Sequence, residues 1–164
     1  MMTLSRRLSV VFAVLLLVCC GASVWLQIRA TSKHEQEVIQ RLSSGLAAHI
    51  AENAELMKPG GLNQDAVKDL FDKLMAVNPS AELYLLALDG RIEAQAAPQG
   101  HLKRDKVNLK PVHELLAGGA LPIVGDDPRS PDASKVFSVA PLRVAGHDAG
   151  YVYVVLQGED HDAL

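Results

Sequence analysis

The first third of the chain carries two successive apolar patterns, and both predict helix. Residues 8–28, LSVVFAVLLLVCCGASVWLQI, form a run of 21 residues without a charge. As a helix this run would be about 30 Å long, which matches the hydrocarbon layer of a bilayer. Over residues 33–57, apolar residues then recur at every third or fourth position, which is typical of an amphipathic helix. The repeating residues are Val38, Leu42, Leu46, Ile50 and Ala54.

No proline interrupts the chain between the apolar run and Lys58, so the pattern predicts one long rod. Ser43, Ser44 and Gly45 weaken its middle. The apolar stripe has two compatible interpretations: packing against a sheet, or the seam of a parallel dimer. A second helix is predicted over residues 63–77, with Asn63 as its N-cap.

The region 82–157 has strand patterns instead. ELYLLAL is apolar on both faces, which predicts a central strand, and RIEAQA alternates, which predicts an edge strand. Asp89-Gly90 between them predicts a hairpin. Residues 98–110 form a polar basic loop, and Pro111 is expected to open a short helix. Two further strands are predicted over residues 135–157, with a turn near Gly146-His147-Asp148.

This order predicts an α+β fold. The apolar helix continues into a long N-terminal helix, and an antiparallel sheet of about five strands follows with helices on one face. The predicted segments are a tail at 1–7, a transmembrane helix at 8–28 and an outer domain at 29–164.

The flanks of the apolar run favour a retained membrane anchor. Arg6 and Arg7 precede it, which favours a cytoplasmic N-terminus. A cleaved signal peptide is the alternative, with a cleavage site at residues 21–23, but the apolar run continues past it. Cys19 and Cys20 lie inside the run and are therefore not expected to staple the outer domain.

The charge of the outer part excludes one class of partner. Beyond Arg29 the chain has 13 Lys and Arg against 19 Asp and Glu, a net charge of −6. Nucleic-acid binding requires a basic surface, so no nucleic-acid partner is expected.

Two segments carry a resemblance to a known family: LYLLALDGRI and FSVAPLRVAGHDAGYVYVVLQGE. Together with the order of elements behind a membrane helix, they resemble the extracytoplasmic PAS-like (PDC or single-Cache) sensor domain of bacterial sensor histidine kinases. The resemblance implies a PAS-like sheet in a periplasmic or extracellular domain, anchored in the bacterial inner membrane by one pass. It also implies a signal-sensing role, a homodimer through the N-terminal helix and an unknown small-molecule ligand.

The resemblance further implies that the tail GEDHDAL precedes a second membrane helix and a kinase region outside this chain. A response regulator would be reached only through that region. The alternatives are the input domain of a chemotaxis receptor, that of a cyclic-dinucleotide synthase, or a stand-alone anchored binding protein.

In resembling sensors, the ligand pocket lies on the sheet face away from the long helices and is closed by a loop. The basic loop would supply cationic groups for a carboxylate or phosphate. Its candidates are His101, Lys103, Arg104, Lys106 and Lys110. Some relatives that bind multiply charged carboxylates place basic residues where this chain has Phe137 and Val139, which disfavours such a ligand. Aromatic residues would instead line a more apolar pocket, or fill the core. They are Tyr84, Phe137, Tyr151 and Tyr153.

A cation site at Asp126, Asp127 and Asp132 is a less favoured hypothesis, since acidic clusters are more often solvated surface. No cofactor is expected. His34-Glu35-Gln36-Glu37-Val38 lacks the second histidine of a zinc-binding HExxH motif. His113-Glu114-Leu115 lacks the residues that follow in a phosphoacceptor box. With no catalytic set in view, the chain is not expected to be an enzyme.

Overall fold

A computed structural model describes residues 4–53, 55–77, 82–96 and 102–156. Its contacts divide the chain into two units, residues 1–36 and residues 37–164. In the first unit, helix α1 (Leu4–Ser43, ending in the second unit) contains the apolar run. The stretch Leu8–Gln27 is long and apolar enough to cross a membrane, and its side chains are exposed. A signal sequence would also have this length and composition.

The described residues of the second unit form three further helices. They are α2 (Leu46–Asn53), α3 (Gln64–Val77) and α4 (Leu109–Leu116). The helix predicted over 63–77 is confirmed. The uninterrupted helix predicted over 33–57 is wrong, because the chain breaks at Ser44-Gly45 and helix α2 ends at Asn53. The Ser44 hydroxyl donates to the Arg41 carbonyl at 2.8 Å, so a serine side chain competes with the helical ladder where glycine also weakens it.

The described residues of this unit also form seven strands. A small hairpin pairs β1 (Met57–Lys58) with β2 (Gly61–Leu62). The main sheet has the order β4-β3-β7-β6-β5, and every neighbouring pair is antiparallel. Its strands are β3 (Glu82–Ala87), β4 (Ile92–Ala96), β5 (Val124–Asp126), β6 (Ser134–Val144) and β7 (His147–Val155). The predicted α+β class with a curled five-stranded antiparallel sheet is confirmed.

Strand β3 is central, as its two apolar faces predicted. It pairs with β4 on one side and β7 on the other, and residues 82–86 are all buried. The predicted hairpin at Asp89-Gly90 is confirmed: Gly90 has φ 87°, and the Asp89 carboxylate accepts from the Arg91 N–H at 3.1 Å. That bond lowers the pKa of Asp89. A side chain at residue 90 would also collide with the Val107 carbonyl.

The two faces of the sheet are covered differently. On the face that we call the helix face, strand residues pack with α2 and α3. The strand residues of its core are Leu83, Leu85, Ala96, Val136, Ala140, Leu142, Val152 and Val154. On the opposite face, called the loop face, a second apolar cluster packs with α4 and Val107. Strand alternation produces both clusters, because successive side chains of a strand point to opposite faces.

Three details differ from the sequence predictions. Helix α4 lies on the loop face, so the helices do not all share one face. It begins at Leu109 instead of Pro111, because the Asn108 side chain accepts from the Lys110 N–H at 3.0 Å and caps the helix. The last hairpin turns at Ala145-Gly146, one residue earlier than predicted, and both residues have positive φ.

Candidate functional site: the loop face and its ionic cover

Four aromatic residues predicted from the sequence lie together on the loop face. Tyr84, Phe137 and Tyr153 are fully buried, and Tyr151 is 8% exposed. The rings of Phe137 and Tyr153 are stacked with centroids 4.8 Å apart. Gly125 lies against this pair, since a side chain there would collide with the phenol of Tyr153 and the ring of Phe137. The aromatic group is therefore the close-packed floor of this face, as the core-filling alternative predicted.

Two of the phenols make polar contacts within this floor. The Tyr84 hydroxyl donates to the Glu82 carboxylate at 2.7 Å, and the Tyr153 hydroxyl donates to the Asp126 carbonyl at 2.9 Å. Burial is the main cause that raises the pKa of both phenols far above the ordinary value. Nearby carboxylates raise both pKa values further, so the phenols act as neutral donors.

Two segments lie over the floor, and we call them together the ionic cover: residues 102–108 and 126–131. Backbone bonds tie them to each other. The N–H groups of Lys103 and Arg104 both donate to the Pro128 carbonyl, at 2.9 and 3.2 Å. The N–H of Asn108 donates to the Asp126 carboxylate at 2.9 Å.

Three ion pairs then hold the cover to itself and to the sheet. Arg104 meets Asp126 at 3.1 Å, Lys135 meets Asp127 at 3.1 Å, and Arg129 meets Glu82 at 2.5 Å. These charges are mostly removed from water. The side chains of Glu82 and Asp127 are only 1% and 3% exposed. Each of these buried carboxylates depends on its cationic partner, because an unpaired buried charge strongly destabilises the folded state.

Arg104 is the best-placed cation of the predicted basic loop. Besides Asp126, its guanidinium donates to the Ser130 carbonyl at 3.0 Å and to the Pro131 carbonyl. A ligand carboxylate or phosphate at this position would compete with Asp126 for the same guanidinium. Arg104 is therefore a candidate anion-binding group, and its guanidinium contacts an internal carboxylate in the structure.

Three other residues of the predicted basic loop point away from the floor. The side chains of Lys103, Lys106 and Lys110 are exposed. His101 lies outside the described residues, as does the acidic tail 157–164.

The predicted cation site gains no support from the geometry. Asp126 and Asp127 each face a basic side chain, and Asp132 is exposed in the following loop. Within the described ranges, no group of three or more His, Cys, Asp or Glu side chains is arranged to hold a metal.

Sequence reasoning missed the most buried member of the network. Glu82 opens an apolar strand and was not singled out, although a charge beside a fully buried strand is itself a signal. Its partner Arg129 lies 47 residues away in the acidic loop, and nothing local links the two.

Among the described residues, two surface grooves lie beside the helix face. One, of about 330 Å³, runs between α2 and β6 and is lined by Ala48, Ala51, Glu52, Ala140, Pro141 and Arg143. The other, of about 290 Å³, lies between α3 and β4, with Val67, Phe71 and Ala94 among its lining residues.

Comparison of the sequence with known protein-family models and with curated proteins finds no match. The helices and the curled five-stranded antiparallel sheet are compatible with a PAS-like fold.

Proposed function

We propose that this chain is the membrane-anchored, extracytoplasmic signal-sensing module of a sensor histidine kinase of the PDC or single-Cache type. The observation that carries the proposal is the contrast between the two faces of the sheet. One face is covered by apolar helices, whereas the other is closed by an ion-paired loop over a floor of aromatic residues. A cover held by exchangeable charges suits a domain that must respond to a ligand.

The proposed ligand is a small molecule with a carboxylate or phosphate. Arg104 supports this choice, because its guanidinium already binds a carboxylate while remaining 24% exposed at the surface of the cover. A ligand anion that displaces Asp126 would change how the cover is held. The domain would then shift between two populations, and a membrane helix would carry the shift inward.

The ligand proposal is tested by thermal unfolding of the full chain in lipid nanodiscs, followed by circular dichroism. The panel contains organic acids, amino acids, phosphate and divalent cations. A ligand that binds the native state raises the melting temperature by mass action. We expect an anion to do so, and we expect Arg104→Gln to abolish the shift.

The matched control is Lys73→Gln, because Lys73 is a cation on helix α3 that is 72% exposed and pairs with Asp69. It should keep the shift. If no member of the panel stabilises a well-folded chain, the small-molecule form of the proposal is wrong. A divalent cation that acts through Asp126 and Asp127 would point to metal sensing instead.

The kinase assignment has its own test. The chain would be produced with the coding region that follows residue 164 in its gene, and autophosphorylation would be measured with and without the stimulus. Stimulus-dependent phosphorylation supports the proposal. A downstream region that encodes a chemotaxis output or a cyclic-dinucleotide synthase would favour the alternative input-domain assignments.

The proposed topology places residues 29–164 outside the cytoplasm of a bacterial cell, with the anchor in the inner membrane. Arg6, Arg7 and the charge-free run support it. The test is a Lys73→Cys variant in a chain with Cys19 and Cys20 replaced by serine. Labelling by a membrane-impermeant maleimide in cells with a permeabilised outer membrane, but an intact inner membrane, is the expected result. Labelling only after lysis would indicate the opposite orientation, with residues 29–164 in the cytoplasm.

A homodimer through the N-terminal helix is also part of the proposal. The apolar stripe predicted there divides in the structure: Ile50 is buried on the helix face, but Val38 and Leu42 are 41% and 82% exposed. The exposed half supports a seam with a second copy. Disulfide cross-linking of Leu42→Cys in the same cysteine-free chain should give dimers, and Lys73→Cys should not.

A further inference from the structure

The Gln40 side chain makes an unusual connection between helix α1 and the sheet. It is 1% exposed, and every hydrogen-bonding direction of its amide nitrogen is used. The Nε2 group donates to the Ile123 carbonyl at 2.8 Å and to the Phe137 carbonyl at 3.0 Å. The Oε1 atom accepts from the Ile123 N–H at 2.9 Å.

The two residues that Gln40 bridges are the next pair of a sheet ladder. Strands β5 and β6 pair Val124 with Val136, and the register continues to Asp126. Extending that register by one residue in the other direction would pair Ile123 with Phe137. The carboxamide of Gln40 occupies this step, so it ends the ladder in place of backbone groups.

The same short strand carries the ionic cover at its other end. Strand β5 has three residues and ends at Asp126, which holds Arg104 and the Asn108 N–H. A strand this short cannot move at one end without affecting the other. Gln40 and Arg104 therefore act on opposite ends of one rigid element.

A second contact between the helices and the sheet provides a comparison. The Ser138 hydroxyl accepts from the Ala47 N–H at 3.3 Å and donates to the Ser44 carbonyl at 3.4 Å. It joins the helix break to β6, which is a central strand of the sheet. This contact involves neither β5 nor the cover.

We propose that Gln40 is the residue that couples the ionic cover to helix α1, through strand β5. With the cover closed, the Asp126 carboxylate holds one end of β5 to the cover, and Gln40 holds the other end to β6. When the Arg104–Asp126 pair is released, β5 loosens and the last turns of α1 lose their anchor. The inference rests on the proposed function only in giving this coupling a role in signalling, and the coupling itself needs no ligand.

Hydrogen exchange of the full chain in nanodiscs, read by mass spectrometry, tests the coupling. Arg104→Gln should speed amide exchange in residues 37–43 about fivefold or more, the lower end of typical coupling between sites. Exchange in α3, residues 64–77, should stay unchanged. This arm leaves Gln40 untouched, so it remains decisive even if variants at residue 40 fail to fold.

The Gln40→Leu variant supplies the reciprocal arm. Coupling between two sites acts in both directions. Gln40→Leu should therefore speed exchange in residues 102–108, and adding Arg104→Gln should then give no further change in residues 37–43. Gln36→Leu, one turn earlier in the same helix, and Ser138→Ala are the controls, and both should preserve the response to Arg104→Gln.

Two results would overturn the inference. One is an Arg104→Gln chain whose exchange in residues 37–43 equals that of the native chain. The other is loss of the response in Ser138→Ala as readily as in Gln40→Leu, which would mean general loosening of the domain. Either result leaves the ligand and kinase experiments intact, and a failure of those experiments leaves this coupling intact.

Discussion

The helix face and the loop face of one sheet are stabilised by different physics. On the helix face, apolar side chains of the sheet pack against apolar side chains of α2 and α3. Removal of this apolar surface from water stabilises the contact. The loop face has an apolar floor, but its cover is held by ion pairs and by bonds to phenols. Apolar burial depends little on which charges are present, whereas paired charges can be exchanged. Under the proposed function, a fold that combines both would keep its sheet while its cover responds to a ligand.

The largest effect that we expect is on the helix face. Leu85→Ala removes a side chain that is 1% exposed in the apolar core, and it should lower the free energy of unfolding by about 3 kcal/mol. Urea denaturation of the full chain, followed by circular dichroism, measures it. Leu88→Ala, at a position that is 50% exposed, should cost less than about 0.5 kcal/mol. Equal losses in the two variants would contradict the assignment of this core.

The second prediction compares the stability of a chain that lacks only Arg129 with that of a chain that lacks both Glu82 and Arg129. Arg129→Met leaves the carboxylate of Glu82 buried without its cation, which should cost about 3 kcal/mol. The double variant Glu82→Leu/Arg129→Met should recover much of that loss, because no uncompensated charge remains. Arg143→Met, which breaks the exposed pair with Asp148, should change stability by less than about 1 kcal/mol.

A double variant less stable than Arg129→Met by more than the lost Tyr84 hydrogen bond, about 1–2 kcal/mol, would show that the pair is not the cause. Salt offers a further check on the same comparison. Screening weakens exposed pairs more than buried ones, so added salt should reduce the small contribution of Arg143 before that of Arg129.

A smaller loss is expected from a single phenol of the loop face. Tyr84→Phe removes the donor to Glu82 and should lower the free energy of unfolding by about 1–2 kcal/mol. The matched variant is Tyr151→Phe, whose hydroxyl meets the exposed imidazole of His113 at 3.3 Å. Denaturation should show a smaller loss of unfolding free energy for Tyr151→Phe than for Tyr84→Phe. The reverse order would contradict the assignment of the stabilising hydrogen bond to Tyr84 and Glu82.

The last prediction concerns how stability depends on pH, and near neutral pH it is the smallest expected effect. The pKa of Tyr84 and Tyr153 is raised in the folded chain, so both phenols favour the protonated form. Their contribution to stability is complete below the ordinary value of 10.0 and is lost as the pH rises above it. Above that pH, each phenol lowers the free energy of unfolding by up to about 1.4 kcal/mol per pH unit.

The measurement is ultraviolet absorbance of tyrosinate during an alkaline titration, with circular dichroism in parallel. Two of the three tyrosines should ionise only when the chain unfolds. Full ionisation near the ordinary value in a chain that is still folded would show that this floor is open to water.

Local features of the chain predicted much of this fold. The Asp89-Gly90 turn, the two apolar faces of β3 and the helix at residues 63–77 depend on neighbouring residues, so pattern alone identifies them. The four aromatic residues of the floor were named as a group, with pocket lining and core filling as the alternatives. The break at Ser44-Gly45 shows the limit, because weak propensity indicates where a helix can end but not whether it does.

The candidate site was harder to predict. Arg104 and Asp126 were each recognised, but as members of two different sites, a basic pocket and an acidic cation cluster. In the folded chain they neutralise each other. Charge patterns give the sign of each residue, and they contain no information on which opposite charge lies nearby in space.

The amino-acid sequence by itself determined the membrane-compatible run, the α+β class, the hairpin turn at Asp89-Gly90 and the alternation that fills both faces of the sheet. These depend on local periodicity and turn chemistry. Only the tertiary structure decided the partners of the buried polar groups. Glu82 meets Arg129 across 47 residues, and Gln40 meets Ile123 across 83. Such pairs form because a buried polar group must find a partner, and packing of distant elements decides which one is within reach.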